Sequence, residues 1–371
     1  MKLVIDNIIF AWQRSGGISV VWYELLSRML KSHREGNLYD AAGKPINLEF
    51  VEYENSCNNK FWTLLDIPAE LIAKVVPLKF LQFKRYMCQK YECDEKFIFH
   101  SSYYRTCSNK NAINVVTVHD FTYEYYTKGF KRWLHSFTKK RSLRKADYVV
   151  CISENTKADL LKFVPDIDAG KIVVIHNGAS EDFYVLNNAD DRYSTDAEQF
   201  IVFIGSRASY KNFGLAVAVA AKSGLRLKIV GSKLNADELA MVKAQLGGNF
   251  DDLGYIDNAA LNRLYNKAFA LIYPSSYEGF GLPVVEAQKS GCPVLALDSS
   301  SITEIVGDVE QLVKKADVDE FVRQIDKLRQ PDYRHLIVEA GVKNSMGYSW
   351  DNTYGKYLAL YRHIIEENTK N

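Results

Sequence analysis

Two glutamates, Glu278 and Glu286, lie eight residues apart around the segment Gly279–Phe280–Gly281–Leu282. Glycines here let backbone amides approach a ligand closely, and Pro283 predicts a helix whose first amides attract phosphate. The carboxylates suit a different task, because they accept hydrogen bonds from hydroxyl groups such as those of a ribose or a sugar. The segment therefore predicts a phosphate site flanked by two hydroxyl-binding carboxylates. Glu278, in the loop, is expected to bind sugar hydroxyls and act in catalysis, and Glu286, on the helix, is expected to bind ribose hydroxyls. Taken singly, a helix-capping glutamate and a solvated helix glutamate are the alternatives.

Arg207 and Lys211 form a second candidate group, directly after the apolar strand pattern at residues 200–205 and before a helical pattern. An arginine can contact phosphate oxygens in two places, whereas a lysine supplies a compact positive charge. Two cations four residues apart at the end of a strand can converge on one diphosphate. We expect that role for them, with ordinary surface charge as the alternative.

Two further candidates lie in the first third of the chain, each between a strand pattern and the next element. His119 and Asp120 follow the run at residues 113–118, at the end of a strand where open α/β folds place working side chains. Gly16 and Gly17 stand between the first strand and a helical pattern, which is a possible anion site. A lone histidine is more often structural, and a Gly-Gly turn alone is weak support for an anion site. Both functional interpretations therefore depend on where these residues lie relative to the predicted strands.

The elements that must position these residues are short apolar strands alternating with helices. Strand patterns occur at residues 2–5, 97–100, 113–118, 147–152, 200–205, 227–231, 270–273 and 293–297. This alternation over 371 residues predicts two parallel-sheet α/β domains. We place the first domain at residues 1–180, a polar linker at residues 181–199, and the second domain at residues 199–349. A long helix is predicted from Trp350 to Glu367, and most of residues 61–91 is also predicted to be helical.

The composition is that of a soluble globular protein with an uneven distribution of charge. Residues 1–180 contain 26 Lys and Arg against 19 Asp and Glu, whereas the remainder contains 21 against 26. The two halves are therefore expected to meet different partners. The six cysteines form no C-x-x-C pair, and neither a signal peptide nor a membrane-spanning run is evident. We expect a cytoplasmic protein without disulfides or a zinc site.

The segment from Lys128 to Lys145 contains eight Lys and Arg and no acidic residue. Phe130, Trp133, Leu134 and Phe137 fall on one face of the helix that it predicts. One interpretation is a solvated outer helix. The other is an anionic membrane surface as partner, on the inner face of the plasma membrane, near a lipid-linked acceptor. Nucleic acid is a poor third interpretation, because the rest of the chain is not basic.

The sequence E-G-F-G-L-P-V-V-E, from Glu278 to Glu286, resembles the E-x7-E signature of retaining glycosyltransferase family 4. Other landmarks extend this resemblance over nearly the whole chain. The sequence G-x-R-x3-K-N, which contains Arg207 and Lys211, is similar to the family's pyrophosphate-binding pair. The sequence T-V-H-D, which contains His119, is similar to the segment that carries the family's histidine beside the donor sugar.

The resemblance implies further roles for residues that spacing alone leaves open. Gly17, with Gly16 beside it, corresponds to a loop whose amides face the donor diphosphate. Tyr255 and Ile256 correspond to a loop that touches the nucleobase, although a simple loop explains them nearly as well. Asp120 is expected to orient the His119 imidazole or to support its loop.

The implied architecture is the α/β GT-B fold, in which two Rossmann-like domains face an interdomain cleft. A C-terminal helix, here within residues 350–371, crosses back to the first domain. The implied reaction moves a hexosyl group from a nucleoside diphosphate sugar to a hydroxyl of a saccharide or lipid-linked saccharide acceptor. The sequence around Arg207 looks most like that of mannosyltransferases of O-antigen assembly. GDP-mannose is therefore the first donor expected, and UDP-hexoses come next.

No metal or other cofactor is expected, because no D-x-D pair stands at the end of a predicted strand. Arg207, Lys211 and helix dipoles must then neutralise the diphosphate. Three rival functions stay open. A GT-B phosphorylase needs a lysine-bound pyridoxal phosphate and a much longer chain, and a sugar-nucleotide 2-epimerase normally lacks the E-x7-E stretch together with the R-x3-K pair. The third rival is a catalytically silent, nucleotide-binding partner subunit.

Overall fold

The computed structural model describes residues 1–54, 56–77, 84–186 and 199–369. The chain divides into two compact units, one formed by Met1–Asn177 with Trp350–Asn371 and the other by Gly178–Ser349. Each unit is a parallel sheet with helices, which is the Rossmann-like architecture predicted from the sequence. Most of the predicted linker, residues 187–198, lies outside the described residues.

The first unit contains a seven-stranded sheet in the order β3-β2-β1-β4-β5-β6-β7, and all neighbouring strands are parallel. Its strands are β1 Lys2–Asp6, β2 Asn47–Tyr53, β3 Ile72–Val76, β4 Phe97–Ser101, β5 Ala112–Val118, β6 Tyr148–Cys151 and β7 Ile172–Val174. The central strands are buried on both faces, which explains why they read as continuous apolar runs rather than alternating ones.

Six helices are described in the first unit. They are Ile8–Trp12, Gly17–Arg34, Thr122–Tyr126, Gly129–Lys145, Glu154–Phe163 and Trp350–Thr369. Ser153 caps the helix Glu154–Phe163 by accepting a hydrogen bond from the Thr156 amide at 3.0 Å.

The predicted helix over residues 61–91 is wrong for its described part. That part contains the short 3-10 turns Trp62–Leu64 and Ala69–Leu71 and the edge strand β3, and residues 78–83 lie outside the described residues. Pro68 and Pro77 lie within the segment, one on each side of β3, and disfavour a continuous helix, and pairing with β2 provides partners for the backbone of β3.

The C-terminal helix Trp350–Thr369 packs within the first unit, which confirms that the chain returns to its first domain. Its Tyr361 hydroxyl lies 2.8 Å from Nδ1 of the fully buried His100. The other ring nitrogen of His100 lies 2.9 Å from Thr117 Oγ1, which also contacts the Tyr357 hydroxyl at 3.2 Å. The helix is therefore tied to β4 and β5 by buried hydrogen bonds as well as by apolar contacts.

The second unit contains a six-stranded parallel sheet in the order β10-β9-β8-β11-β12-β13. Its strands are β8 Phe200–Ile204, β9 Arg226–Val230, β10 Phe250–Gly254, β11 Ala270–Tyr273, β12 Val294–Leu297 and β13 Leu312–Val313. Its helices are Phe213–Ser223, Ala236–Leu246, Asn258–Lys267, Leu282–Lys289, Ile302–Ile305, Val318–Leu328 and Pro331–Ser345. The strand order reverses between β8 and β11, so the loops that follow these two strands are neighbours.

Within the described residues, no helix combines the length and the apolar character that crossing a bilayer requires.

Candidate functional site

The loops after β8 and β11 bring Lys211 and Glu278 into direct contact. Lys211 Nζ lies 2.5 Å from Glu278 Oε1, and the two side chains are only 14% and 12% exposed. The sequence assigned Lys211 to a diphosphate and Glu278 to sugar hydroxyls. The structure places the two groups together at the carboxyl edge of the second sheet, where open α/β folds bind ligands.

The segment after Glu278 turns sharply into the helix Leu282–Lys289. Gly281, immediately before this helix, has a φ of +103°, a conformation that side chains rarely adopt. A Cβ at this residue would also lie 2.5 Å from the Ile302 side chain. Gly281 is thus needed for both the turn and the close packing, and Pro283 occupies the first turn of the helix as predicted.

Glu286 lies on the helix Leu282–Lys289, half-buried in the second unit. Burial raises the pKa of its carboxyl to about 7, because no neighbouring charge compensates the loss of solvation. Within the part of the chain that the structure describes, no ion pair holds this carboxylate. Hydrogen-bond donors from a ligand, such as ribose hydroxyls, would stabilise its charged form.

Arg207 has partners other than Lys211 and Glu278. Its Nη2 donates to Ser232 Oγ at 3.0 Å and to the Lys233 carbonyl at 2.8 Å, and its Nε lies 2.8 Å from Glu238 Oε2. This contact lowers the pKa of Glu238. The two predicted diphosphate ligands therefore have different protein partners, and the Arg207 side chain, only 6% exposed, contacts the loop after β9 and a neighbouring helix.

A cavity of about 410 Å³ adjoins Arg207. Its walls come from the loop after β8, the start of the helix Phe213–Ser223 and one face of the helix Ala236–Leu246. Polar lining groups are Arg207, Ser209, Asn212 and Glu238. Arg207 is the one predicted diphosphate ligand among the residues that line this cavity.

Glycines follow the neighbouring strands β8 and β9, so no side chain projects from the ends of these strands. Gly231, after β9, has a φ of +143°, and a Cβ there would lie 2.6 Å from the carbonyl oxygen of Gly205. Two adjacent strand exits can therefore approach each other only without side chains. Such backbone-lined exits leave room for a ligand at the carboxyl edge.

Tyr255 and Ile256 follow β10 in the loop predicted to touch a nucleobase. The Tyr255 side chain is 79% exposed, and Asp257 caps the next helix by accepting from the Ala260 amide at 2.7 Å. The adjacent pair Asp251 and Asp252 is engaged by cations: Arg226 and Lys228 contact the former, and Lys233 lies near the latter.

The Glu278 loop is held by residues that were not predicted from the sequence. Ser300 Oγ accepts from the Glu278 amide at 2.9 Å, and the fully buried Ser301 donates to the carbonyls of Glu278 and Phe280 at 2.9 and 3.0 Å. From the other side, Asn212 donates to the Pro274 carbonyl at 2.8 Å. Three consecutive serines just after an apolar strand were the available signal.

In the first unit, His119 follows β5 as predicted and is buried. Burial lowers the pKa of its imidazole to about 4, and the nearby Lys139 adds to the lowering while Asp120 opposes it. Its Nε2 is buried and has no hydrogen-bond partner among the described residues. The Asp120 carboxylate accepts from the Thr122 amide at 2.9 Å, a contact that supports the loop.

The other first-unit candidate, Gly16–Gly17, opens the 18-residue helix Gly17–Arg34. Gly17 is exposed, and a Cβ there would meet nothing within 4 Å. At Gly16, by contrast, a Cβ would lie 2.7 Å from Gln13 Oε1. Both residues therefore stand at a helix N-terminus as predicted, and packing demands a glycine at neither, because the flexible Gln13 side chain can move away from Gly16.

The basic segment forms the helix Gly129–Lys145, and its cations do not all face solvent. Lys139 is buried, pairs with the buried Glu124 at 3.4 Å, donates to the Asp120 carbonyl and lies 3.6 Å from the centre of the Phe121 ring. The membrane interpretation of this segment counted Lys139 among the cations that meet anionic lipid, and for this residue it is wrong. Its ammonium faces inward because carbonyl, carboxylate and aromatic groups replace its water there.

The outer face of the same helix carries stacked aromatic rings. Phe130, Trp133 and Phe137 are 73%, 58% and 53% exposed, and their ring centres lie 5.6 and 5.5 Å apart along the stack. We call this set, with the neighbouring exposed or half-exposed cations, the aromatic–basic surface. The cations are Lys131, Arg132, Lys140 and Arg141.

Two family models match the chain. Residues 188–343 match the model described as "Glycosyl transferases group 1", and residues 97–183 match "Glycosyltransferase Family 4". Together these segments include His119, both cations and both glutamates discussed above.

Named relatives are similar to this chain at low identity. "O-antigen chain mannosyltransferase B" of Escherichia coli is 26% identical over 267 residues, which are 67% of this chain and 70% of that protein. "O-antigen chain mannosyltransferase RfbU" of Salmonella typhimurium LT2 is 27% identical over 225 residues, 58% of this chain and 61% of that protein. The match thus spans less than two thirds of RfbU.

A solved structure shows the same fold. Anabaena HepE in complex with UDP and glucose superposes with a TM-score of 0.68 at 15% identity, over 97% of this chain and 98% of that one. The two parallel-sheet units, the family matches and this likeness define the protein as a glycosyltransferase with the GT-B fold. Within that class, residues 188–343 match the group 1 model and residues 97–183 match the family 4 model, which confirms the resemblance inferred from the sequence.

Proposed function

We propose that the protein transfers a hexosyl group from a nucleoside diphosphate sugar to a hydroxyl of a saccharide or lipid-linked saccharide in surface polysaccharide assembly. The names of its relatives in Escherichia coli and Salmonella favour mannose, and hence GDP-mannose as donor. The observation that carries the proposal is the 2.5 Å contact between Lys211 and Glu278. A cation for the phosphates and a carboxylate for the sugar hydroxyls are the groups that such a donor needs.

The proposed chemistry retains the anomeric configuration, as the family resemblance implies. The leaving diphosphate takes the acceptor's proton on the face from which it departs. Lys211 and Arg207 stabilise the negative charge that develops on this leaving group, and no metal ion or cofactor is required. When the donor binds, Lys211 exchanges Glu278 for a phosphate oxygen, so that Glu278 becomes available to the sugar hydroxyls.

Glu286 and His119 take the remaining proposed roles. Glu286 accepts hydrogen bonds from the ribose hydroxyls, which restores the negative charge that burial disfavours. His119 is the proposed catalytic histidine of the first unit. With a pKa lowered to about 4, its imidazole is neutral at pH 7 and can either donate or accept one hydrogen bond.

Screening of sugar nucleotides tests this function. Thermal unfolding in the presence of GDP-, UDP-, dTDP- and ADP-sugars should single out GDP-mannose, because a ligand at a hundred times its Kd adds about 2.7 kcal/mol to the free energy of unfolding. Release of GDP should then require an acceptor and fall in the Glu278→Gln variant.

Other outcomes of the same screen identify the rival functions. Selective stabilisation by a UDP-hexose, with UDP release, would replace the proposed donor with that of the alternative transferase. Nucleotide binding without release of nucleoside diphosphate, across a broad acceptor mixture, would indicate the silent partner subunit instead.

We further propose that the aromatic–basic surface binds anionic membranes. Exposed Trp and Phe side chains suit the boundary between headgroups and acyl chains, and each nearby Lys or Arg contributes about 1 kcal/mol of attraction to an anionic surface. Three stacked rings exposed by more than half are costly to leave in water, which is the specific observation that favours this role.

Sedimentation with vesicles tests the membrane proposal. Binding should require anionic phosphatidylglycerol, weaken as salt rises, and shift the Trp133 emission to shorter wavelength. Replacing Phe130, Trp133 and Phe137 by serine should abolish binding, whereas Leu336→Ser is a matched control, because Leu336 is an equally exposed apolar residue of the second unit. Equal binding to neutral and anionic vesicles would leave only a solvated outer helix.

A further inference from the structure

The segment that carries Glu278 is bordered on both sides by residues with a strained backbone. Among the described residues, three non-glycine residues have a positive φ: Asp66, Asn212 and Ser300. Two of them lie in the loops after β8 and β12, the strands that flank β11. Left-handed conformations of non-glycine residues persist only where the surrounding structure maintains them, and they concentrate at functional sites.

Asn212 uses its strained conformation to reach the Glu278 segment. It precedes the helix Phe213–Ser223, where an asparagine side chain ordinarily caps the helix, but no side-chain cap is made. Its amide instead donates to the Pro274 carbonyl at 2.8 Å and to Ser276 Oγ at 2.7 Å. The adjacent Tyr210 carbonyl accepts from the Ser276 amide at 2.7 Å.

Ser300 holds the same segment from the opposite side. Its φ is +50°, and its Oγ accepts from the Glu278 amide at 2.9 Å. Two neighbours in the loop after β12 also hold this segment. Ser299 donates to the Ser275 carbonyl at 2.7 Å, and Ser301 donates to the Glu278 carbonyl at 2.9 Å. The backbone from Pro274 to Glu278 is thus fixed by hydrogen bonds from two different loops.

We propose that Asn212 and Ser300 are positioning residues that clamp the Glu278 loop for sugar transfer, an inference that rests on the proposed function of Glu278. The clamp fixes the main chain on which the Glu278 carboxylate is mounted, while the side chain stays free to exchange Lys211 for a ligand. Positioning to within a fraction of an ångström is what a carboxylate directed at the reacting sugar requires.

The substitutions Ser300→Gly and Asn212→Gly separate positioning from stability. Glycine adopts a positive φ without strain, so the backbone change by itself should leave the unfolding temperature the same or raise it. The lost hydrogen bonds act in the opposite direction. The clamp nevertheless predicts a fall in kcat of about tenfold or more in each. Binding of the free nucleoside diphosphate should not change in Ser300→Gly, because Ser300 does not line the cavity beside Arg207, whereas Asn212 does. Ser300→Asn, which tolerates the conformation and restores an acceptor, should recover part of kcat.

Asp66→Gly is the matched control, because Asp66 has the third strained backbone (φ +43°) but belongs to the first unit. It should leave kcat unchanged. Wild-type kcat in both Ser300→Gly and Asn212→Gly would overturn the proposal and make the strained residues purely structural.

Hydrogen exchange separates failure of the clamp from failure of the proposed function. The Glu278 amide should exchange slowly in the wild type and at least tenfold faster in Ser300→Gly, whatever the reaction. If the wild type turned over no sugar nucleotide, the proposed function would fail, while unchanged exchange in Ser300→Gly would by itself refute the clamp.

Discussion

The raised pKa of Glu286 predicts that donor binding depends on pH. Burial places this pKa at about 7, so the carboxyl of the unliganded protein is half protonated at neutral pH. Ribose hydroxyls donate to a carboxylate far better than to a carboxylic acid. Affinity should therefore rise with pH through 7 and level off above 8, because the form that binds becomes the only one present.

The magnitude follows from the fraction of protein in the charged form. With a pKa of about 7, the ionised fraction is about one eleventh at pH 6 and about ten elevenths at pH 8. If only the ionised form binds, affinity increases about tenfold over this interval, which corresponds to about 1.4 kcal/mol. His119 does not titrate in the same interval, since its pKa is lowered to about 4.

Calorimetry at pH 6, 7 and 8 checks this, with GDP-mannose or whichever donor the screen selects. A sugar nucleotide is preferable to a free nucleoside diphosphate, because a terminal phosphate itself titrates near pH 6, about one unit below Glu286. Glu286→Gln should bind more weakly at pH 8 and with a flat pH profile. Glu278→Gln should keep the pH dependence.

Binding that is independent of pH, or tighter at pH 6, would refute the assignment of Glu286 to the ribose. A pH-dependent Glu286→Gln variant would show that another group titrates.

Four further expected outcomes concern the diphosphate site, metal dependence, the C-terminal helix and the buried His100. Lys211→Ala should lower kcat/KM by about 2–4 kcal/mol in transition-state free energy, measured by initial rates, whereas the exposed Lys233→Ala should not. Activity should persist in excess EDTA, and a complete loss restored by Mg²⁺ or Mn²⁺ would contradict charge neutralisation by side chains alone. Tyr361→Phe should lower the free energy of unfolding by about 1–3 kcal/mol in denaturant titrations, because it removes a partner of the buried His100. The pKa of His100 is itself lowered to about 3, so stability should decline as pH falls below about 6.5, where the unfolded state takes up the proton first.

Local patterns sufficed to predict most of the architecture. Buried parallel strands are continuous apolar runs, so β1, β4, β5, β8 and β11 were recognisable without any tertiary information. The edge strand β3 was not, because its aromatic, basic and proline-interrupted surroundings carry no strand period. Its pairing with β2 is a tertiary contact, which overrides local preference.

For the candidate site, too, the residue types could be predicted from the sequence, whereas their contacts could not. Glu278, Glu286, Arg207 and Lys211 could be selected from residue type and spacing, since a phosphate and its sugar hydroxyls need cations, amides and carboxylates. That Lys211 meets Glu278 while Arg207 turns to Glu238 could not be predicted, because side-chain partners depend on which loops the strand order makes neighbours.

The burial of individual side chains could not be predicted from the sequence. Lys139 and Lys140 are adjacent and identical in type, yet the first is buried against Glu124 and the second is half-exposed. The strained residues Asn212 and Ser300 likewise look like ordinary loop residues until β8, β11 and β12 are side by side. The sequence by itself determined the strands, the paired glutamates and the family. Only the tertiary structure decided solvation and backbone strain, because both arise from neighbours distant along the chain.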